Sequence, residues 1–211
     1  MHRLAGRLVR LAILVSAALA LPGAPASAGP ASDLIAKLNA VFLGVMQNAK
    51  TLGYEGRYKT LEPALADAYD FPEMMRVSTG RHWRDLTDDQ KKQAIAAFED
   101  YSVATYAARF DGFGGERFEV LGEETAPGGN LRVNNQIVPT SGAPIRIDYL
   151  LRQDAGQWRI IDVYLKSSVS ELAVRRAEFT DILSKSGFDG LMADLKTKVA
   201  KLRTEGAAAA N

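Results

Sequence analysis

The chain has 211 residues, with 26 Lys+Arg against 25 Asp+Glu, a formal charge of +1 and 47% hydrophobic residues. So even a balance, without any block of like charge, excludes nucleic acid as a partner, because phosphate contacts need clustered positive surface. There is no cysteine and there are only two histidines, which excludes disulfide scaffolds, thiolate zinc sites and multi-histidine metal sites.

The first segment is set apart from the fold. Arg3, Arg7 and Arg10 make a positive start, and Leu8 to Leu21 is an apolar run broken only by Arg10 and Ser16. Pro22 and Gly23 break any helix, and Ala26-Ser27-Ala28 offers small residues for cleavage. That order predicts a secretory signal peptide over 1–28. The run is short of the roughly 20 apolar residues that span a bilayer. Cleavage would remove three arginines and no acid, leaving 23 Lys+Arg against 25 Asp+Glu and a charge of −2. The expected product is a single periplasmic domain over 29–211, with 204–211 as a disordered tail. A chain without thiols suits an oxidising compartment.

Ser32 is the expected N-cap of a helix over about 33–50, on which Leu34, Leu38, Val41, Phe42 and Val45 keep to one face. A short helix follows over Thr60–Ala68. Pro72 sits well at a first helical position, and Gly80 stops the helix that carries Met74, Met75 and Val77. Thr87 and Gln90 form a capping box opening a helix to about Phe110, with Ile95, Phe98, Tyr106 and Phe110 on a stripe that Tyr101 widens.

The period then changes from helical to two. Phe118 and Val120 begin a first strand. Leu131, Val133, Asn135 and Ile137 mark a second, and Ile145, Ile147, Tyr149 and Leu151 a third. The fourth runs from Gln157 to Lys166, with Ile161, Val163 and Leu165 expected on one face and Ile160 on the other. Breakers at Pro127-Gly128-Gly129, Ser141-Gly142 and Ala155-Gly156 imply antiparallel hairpins. Ser168 and Glu171 read as a further capping box. The helix it opens carries Leu172, Arg176, Phe179 and Leu183 on one stripe and breaks at Ser186-Gly187. A last amphipathic helix runs through Leu191, Leu195 and Leu202. The fold class is α+β: a curved antiparallel sheet of about four strands with helices packed on one face, an arrangement in which the pattern alone does not separate a filled core from a cone-like fold with an internal apolar cavity.

Catalytic equipment is sparse. No glycine loop is placed for a phosphate, no serine elbow exists and no metal spacing occurs, so no cofactor and no metal are expected. His82 has no visible partner for triad chemistry. Asp162 interrupts an apolar strand; it reads either as a buried base beside a carbonyl substrate or as a carboxylate bonded to backbone or arginine. Arg176 lies on an apolar stripe and would pair with Asp162 or meet a polar headgroup. Phe71, Met74, Met75, Phe98, Tyr101, Tyr149 and Phe179 supply flexible and aromatic material, and methionine suits surfaces that accept variable shapes.

Tyr69-Asp70-Phe71, Met74, Gly80-Arg81-His82-Trp83, Asp89-Gln90 and Phe98 resemble the N-terminal half of the MlaC-type, toluene-tolerance family of periplasmic lipid-binding proteins. Trp158-Arg159-Ile160-Ile161-Asp162-Val163, Val169-Ser170, Arg176, Phe179 and Gly187-Phe188-Asp189-Gly190-Leu191 continue the resemblance in order. Ser168 and Arg175 depart from the phospholipid carriers, which more often have glycine and an aromatic residue there, and resemble the hopanoid-associated HpnM branch. The resemblance implies a carrier, not an enzyme. It would take the apolar part of a lipid, hopanoid before phospholipid, into an internal cavity. It would shuttle that lipid between an inner-membrane lipid transporter and outer-membrane components. The expected cavity wall is Met74, Met75, Phe98, Tyr101, Val133, Ile147, Tyr149, Val163, Leu172 and Phe179, with Arg176 and Asp162 as headgroup contact or structural ion pair. Two other classes remain open: a small cone-fold enzyme using Asp162 as base, and an adaptor with a filled core.

Overall fold

The computed structural model describes residues 29–208. The expected signal peptide over 1–28 lies outside the described residues. No helix among them is long and apolar enough to cross a membrane.

Helix α1 (Pro30–Gln47) begins at Pro30, with Gly29 rather than Ser32 as N-cap. Ser32 instead falls in the first turn, where its N–H and hydroxyl donate to Glu123 at 3.0 and 2.9 Å. Helix α2 (Ala49–Ala68) is longer than its sequence pattern suggests, because Gly53 takes a positive φ of 58° and joins two helical pieces across a kink. Helix α3 (Phe71–Thr79) is capped by Asp70, which accepts from Glu73 N–H at 3.0 Å, and ends at Gly80. A 3-10 turn (Gly80–Asp85) leads to α4 (Asp88–Arg109), opened by the reciprocal Thr87–Gln90 capping box.

Five strands follow in sequence order: β1 (Arg117–Ala126), β2 (Asn130–Val138), β3 (Ile145–Asp154), β4 (Gln157–Leu165) and the two-residue β5 (Val169–Ser170). All neighbours are antiparallel, so the sheet is an open meander. The last helical run, α5 (Glu171–Ala208), is broken at Gly187, where φ is 65°. The fold is α+β, five helical elements with a five-stranded sheet.

The pleat decides which side chains meet the helices. Val133, Tyr149 and Val163 stand side by side across β2, β3 and β4, and Leu131, Leu151 and Ile160 form the next row. Ile160 is inward, contrary to the simple alternation, because a bulge between Leu150 and Leu151 pairs Leu150 with Asp162 and Leu151 with Ile160. The extra residue reverses the faces on either side of it. A second bulge, between Val120 and Gly122, turns Glu123 toward α1.

Beneath the helices the core centres on Phe42, Leu61, Leu65, Met75 and Phe179, all buried. Phe42 stacks on Tyr106 with centroids 4.9 Å apart, and Phe98 meets Phe71 and Phe179 edge-on. Arg57 is wholly buried and answers three backbone carbonyls: Ala107 at 2.8 Å, Gly206 at 2.9 Å and Ala49 at 3.1 Å. It therefore ties the ends of α4 and α5 to α2. Over 204–208 the expected tail is instead helix, which continues to Ala208, with Arg203 paired to Glu55 at 2.6 Å and Gly206 against Tyr54; 209–211 lie outside the described residues.

Candidate functional site

Between the sheet and the layer formed by α3, α4 and α5 lies a cavity of about 140 Å³. From α4 come Phe98, Tyr101, Ser102, Thr105, Tyr106 and Arg109. The sheet contributes Phe118, Ile147, Tyr149, Val163 and Leu165, while Tyr69 and Met74 come from the approach to α3 and from α3 itself. Glu171, Leu172 and Arg175 belong to the first turns of α5. Ser102 and Thr105 are cheap to place here, because their hydroxyls donate back to Phe98 and Tyr101 carbonyls at 2.7 and 2.8 Å.

Seven of the ten expected wall residues line this space: Met74, Phe98, Tyr101, Ile147, Tyr149, Val163 and Leu172. Met75, Val133 and Phe179 do not; they are fully buried in the surrounding core. Sequence reading missed Tyr69, Arg109 and Arg175. Tyr69 and Arg175 were visible only through the family resemblance, and Arg109 only as a charge.

Every charged residue of the lining comes from the end of α4 or the start of α5: Arg109, Glu171 and Arg175. Arg175 is held in place by Glu178 at 3.0 Å and Glu171 at 3.6 Å, and its guanidinium lies 4.9 Å from the centre of the Tyr101 ring. Lys198 bonds to Glu178 from the next segment of α5 and to Asp194 at 2.6 Å. Burial pushes the Glu178 carboxyl up, but the bonds and charges of Lys198 and Arg175 outweigh it and hold the group below its ordinary value. Arg176 and Arg175 flank the Leu172–Phe179 stripe on opposite edges. Arg176 does not pair with Asp162 and its side chain is exposed; it lies against Gly80 in a groove shared with Arg76, Arg81 and Arg84. His82 is also away from the cavity, with Nε2 3.2 Å from the Ser184 hydroxyl.

Asp162 is a carboxylate bonded to backbone, one of the two readings that the sequence left open. Its neighbour Val163 faces the cavity, so Asp162 projects from the opposite face of β4. One oxygen accepts from Val163 N–H at 2.8 Å and Leu172 N–H at 3.0 Å, and the other accepts from the Ser170 hydroxyl at 2.6 Å. Ser170 in turn accepts from Ala173 N–H at 2.9 Å. The cap of α5 is thus Ser170 backed by Asp162, not Ser168, whose hydroxyl turns back to the Lys166 carbonyl. Asp162 seats the helix whose first turns wall the cavity.

A further acid steadies the sheet beside this junction. Asp148, 1% exposed at its side chain, accepts from Arg132 at 2.9 Å, from Arg146 at 3.1 Å and from Asn135 N–H at 3.1 Å. Burial raises its carboxyl, but hydrogen bonds from Ser167, the Asn135 N–H and Arg132, with the charge of Arg146, hold it below the ordinary aspartate value. Arg132 also donates to the Ser167 carbonyl at 2.6 Å, which anchors the β4–β5 turn.

An antiparallel meander with helices on one face and an apolar cavity between the layers defines a cavity-bearing α+β domain. The chain belongs to the MlaC protein family, whose family model matches residues 37–197. The fold is similar to that of the phospholipid-binding protein from Ralstonia solanacearum, solved in complex with a phospholipid. That match has a TM-score of 0.72 and 18% identity, and covers 82% of this chain and 99% of the other.

Proposed function

We propose that the protein is a periplasmic lipid carrier. It holds the apolar part of a membrane lipid between the sheet and α4–α5 and ferries it between an inner-membrane transporter and outer-membrane components. The observation that carries this reading is the cavity itself. Its wall is aromatic and aliphatic, and its charges are gathered on the end of α4 and the start of α5. Membership of the MlaC family and a phospholipid in a protein of similar fold support it. Asp162, the one candidate base, is off the wall and occupied as a helix cap, which favours a carrier over a cone-fold enzyme. A filled-core adaptor would not keep such a space.

Energetics set the requirement. Each methylene kept from water is worth about 0.8 kcal/mol, so a lipid with some thirty apolar carbons would cost on the order of 20 kcal/mol to release unsheltered. A cavity of about 140 Å³ is close to the ~150 Å³ hollow that admits one benzene. Cargo entry therefore parts the walls of the cavity. A hopanoid is the favoured cargo and a phospholipid the second. The sequence departures behind that preference are Ser168, in the β4–β5 connection, and Arg175, on the cavity wall.

Native mass spectrometry of the protein purified from hopanoid-producing cells, followed by lipid extraction, tests this. One bound lipid per chain is the expected result. A chain that copurifies with none, and takes up none from vesicles of either lipid, overturns it.

A further inference from the structure

Of the four tyrosines that line this largely apolar space, Tyr101 lies under the Arg175 guanidinium, and the other three carry phenol groups that the charges at the end of α4 and the start of α5 do not answer. Tyr69, Tyr106 and Tyr149 all line the cavity, and Tyr69 and Tyr149 are 4% and 1% exposed. The Tyr69 and Tyr106 hydroxyls are 2.6 Å apart. In that pair one hydroxyl donates to the other, so one O–H hydrogen remains unused whichever way the bond runs. The Tyr149 hydroxyl has no hydrogen bond to any protein group among the described residues. Burial holds Tyr69 and Tyr149 well above the ordinary phenol value and raises Tyr106, so all three stay neutral donors.

Such a cluster needs an explanation. The Tyr149 hydroxyl is open to the cavity rather than sealed in the core, and phenylalanine would fill the same volume without bringing a polar group to that wall. Two O–H hydrogens without a protein partner, on rings that line one small space, suit a hydrogen-bond acceptor arriving with the ligand. We infer that Tyr106 and Tyr149, with Tyr69 bonded to Tyr106, form an acceptor-reading subsite. It selects lipids carrying a carbonyl, ester or hydroxyl oxygen within the part that is buried, over lipids that bury hydrocarbon alone. This inference rests on the carrier reading and narrows its cargo. The chemistry is shared by an ester carbonyl drawn in from a phospholipid and by an oxygen on the body of a linear or polycyclic lipid.

The test measures affinities of two matched pairs. One pair is octadecanoate and an octadecanoate bearing one mid-chain keto group. The other is a diester phospholipid and its diether analogue, which lacks the carbonyls. In at least one pair the carbonyl-bearing lipid binds about five-fold tighter, as one net hydrogen bond allows. That ratio falls to about one in Tyr149→Phe and shrinks in Tyr106→Phe, and the pair that responds names the source of the oxygen. Tyr149→Phe melts no lower than the parent, because its hydroxyl serves no protein partner. Binding without preference in both pairs, or a preference that survives both substitutions, overturns the subsite and leaves the carrier reading standing. Failure of all four lipids to bind overturns both.

Discussion

The Asp162 carboxylate accepts the Leu172 N–H at 3.0 Å, so the acid that interrupts β4 is the residue that seats α5. Substituting Asp162→Ala removes the acceptor of Val163 N–H, Leu172 N–H and the Ser170 hydroxyl together. Loss of a helix cap with its supporting bonds should lower unfolding free energy by about 2 kcal/mol. Asp162→Asn keeps an acceptor oxygen and should cost about half as much. Urea unfolding of the two variants checks the order. The local consequence is faster amide exchange at Leu172 and Ala173, ahead of the rest of the helix.

Arg57 makes a second, larger claim on stability. Its guanidinium serves Ala49, Ala107 and Gly206, and no carboxylate among the described residues shares it. Arg57→Met keeps much of the apolar stem but leaves three buried carbonyls unanswered, a loss of about 3 kcal/mol or more. The C-terminal part of α5 should detach first. Limited proteolysis near 200–208 in the variant, under conditions that leave the parent whole, is the expected sign.

Asp148 ties stability to acid. Its folded-state value lies below its ordinary one, so the stabilisation it gives is fully present above about pH 4. That stabilisation is lost as pH falls through the lower folded-state value, because the protonated acid can no longer hold Arg132 and Arg146. Melting temperature should therefore drop steeply below about pH 4. In Asp148→Asn the melt begins lower at neutral pH and falls less between pH 5 and 3. Parallel curves for the two proteins would place the acid response elsewhere.

These junctions also mark what was legible in the sequence. Local chemistry was readable: Thr87 and Gln90 close the capping box that their spacing announces, and the period-two runs become the strands of the meander. What depended on a neighbour was not. A single extra residue in β4 brings Ile160 inward beside Leu151, and alternation cannot reveal such a bulge. Ser168 and Ser170 are equally good caps by type, and only the position of Asp162 chooses between them. Arg175 and Arg176 border the same apolar stripe; the choice of which meets the cavity falls to Tyr101 and the glutamates around Arg175. The tail looked featureless because its partner, Arg57, is 149 residues away. Seven wall residues were found because helix and strand periods fix a face. Met75, Val133 and Phe179 share that apolar character but pack where no space is left.

The distinction between wall and core gives the last prediction. Leu172 lines the cavity from the first turn of α5, and Val174, two residues on, is exposed. A tryptophan at Leu172 can turn its indole into a space of about 140 Å³, roughly that of one benzene-sized guest, and leave nothing for cargo. Because room already exists, the overpacking strain should stay under about 1.5 kcal/mol, less than a comparable insertion into a filled core. Leu172→Trp should therefore melt near the parent temperature yet retain at most about a tenth of the bound lipid, a loss of roughly 1.4 kcal/mol or more in affinity. Val174→Trp adds the same bulk to the outside of the helix and should carry lipid as the parent does. Extracted lipid per mole of protein, measured for all three, reads the result. Full loading of Leu172→Trp would mean that the cargo lies somewhere other than between the sheet and α4–α5.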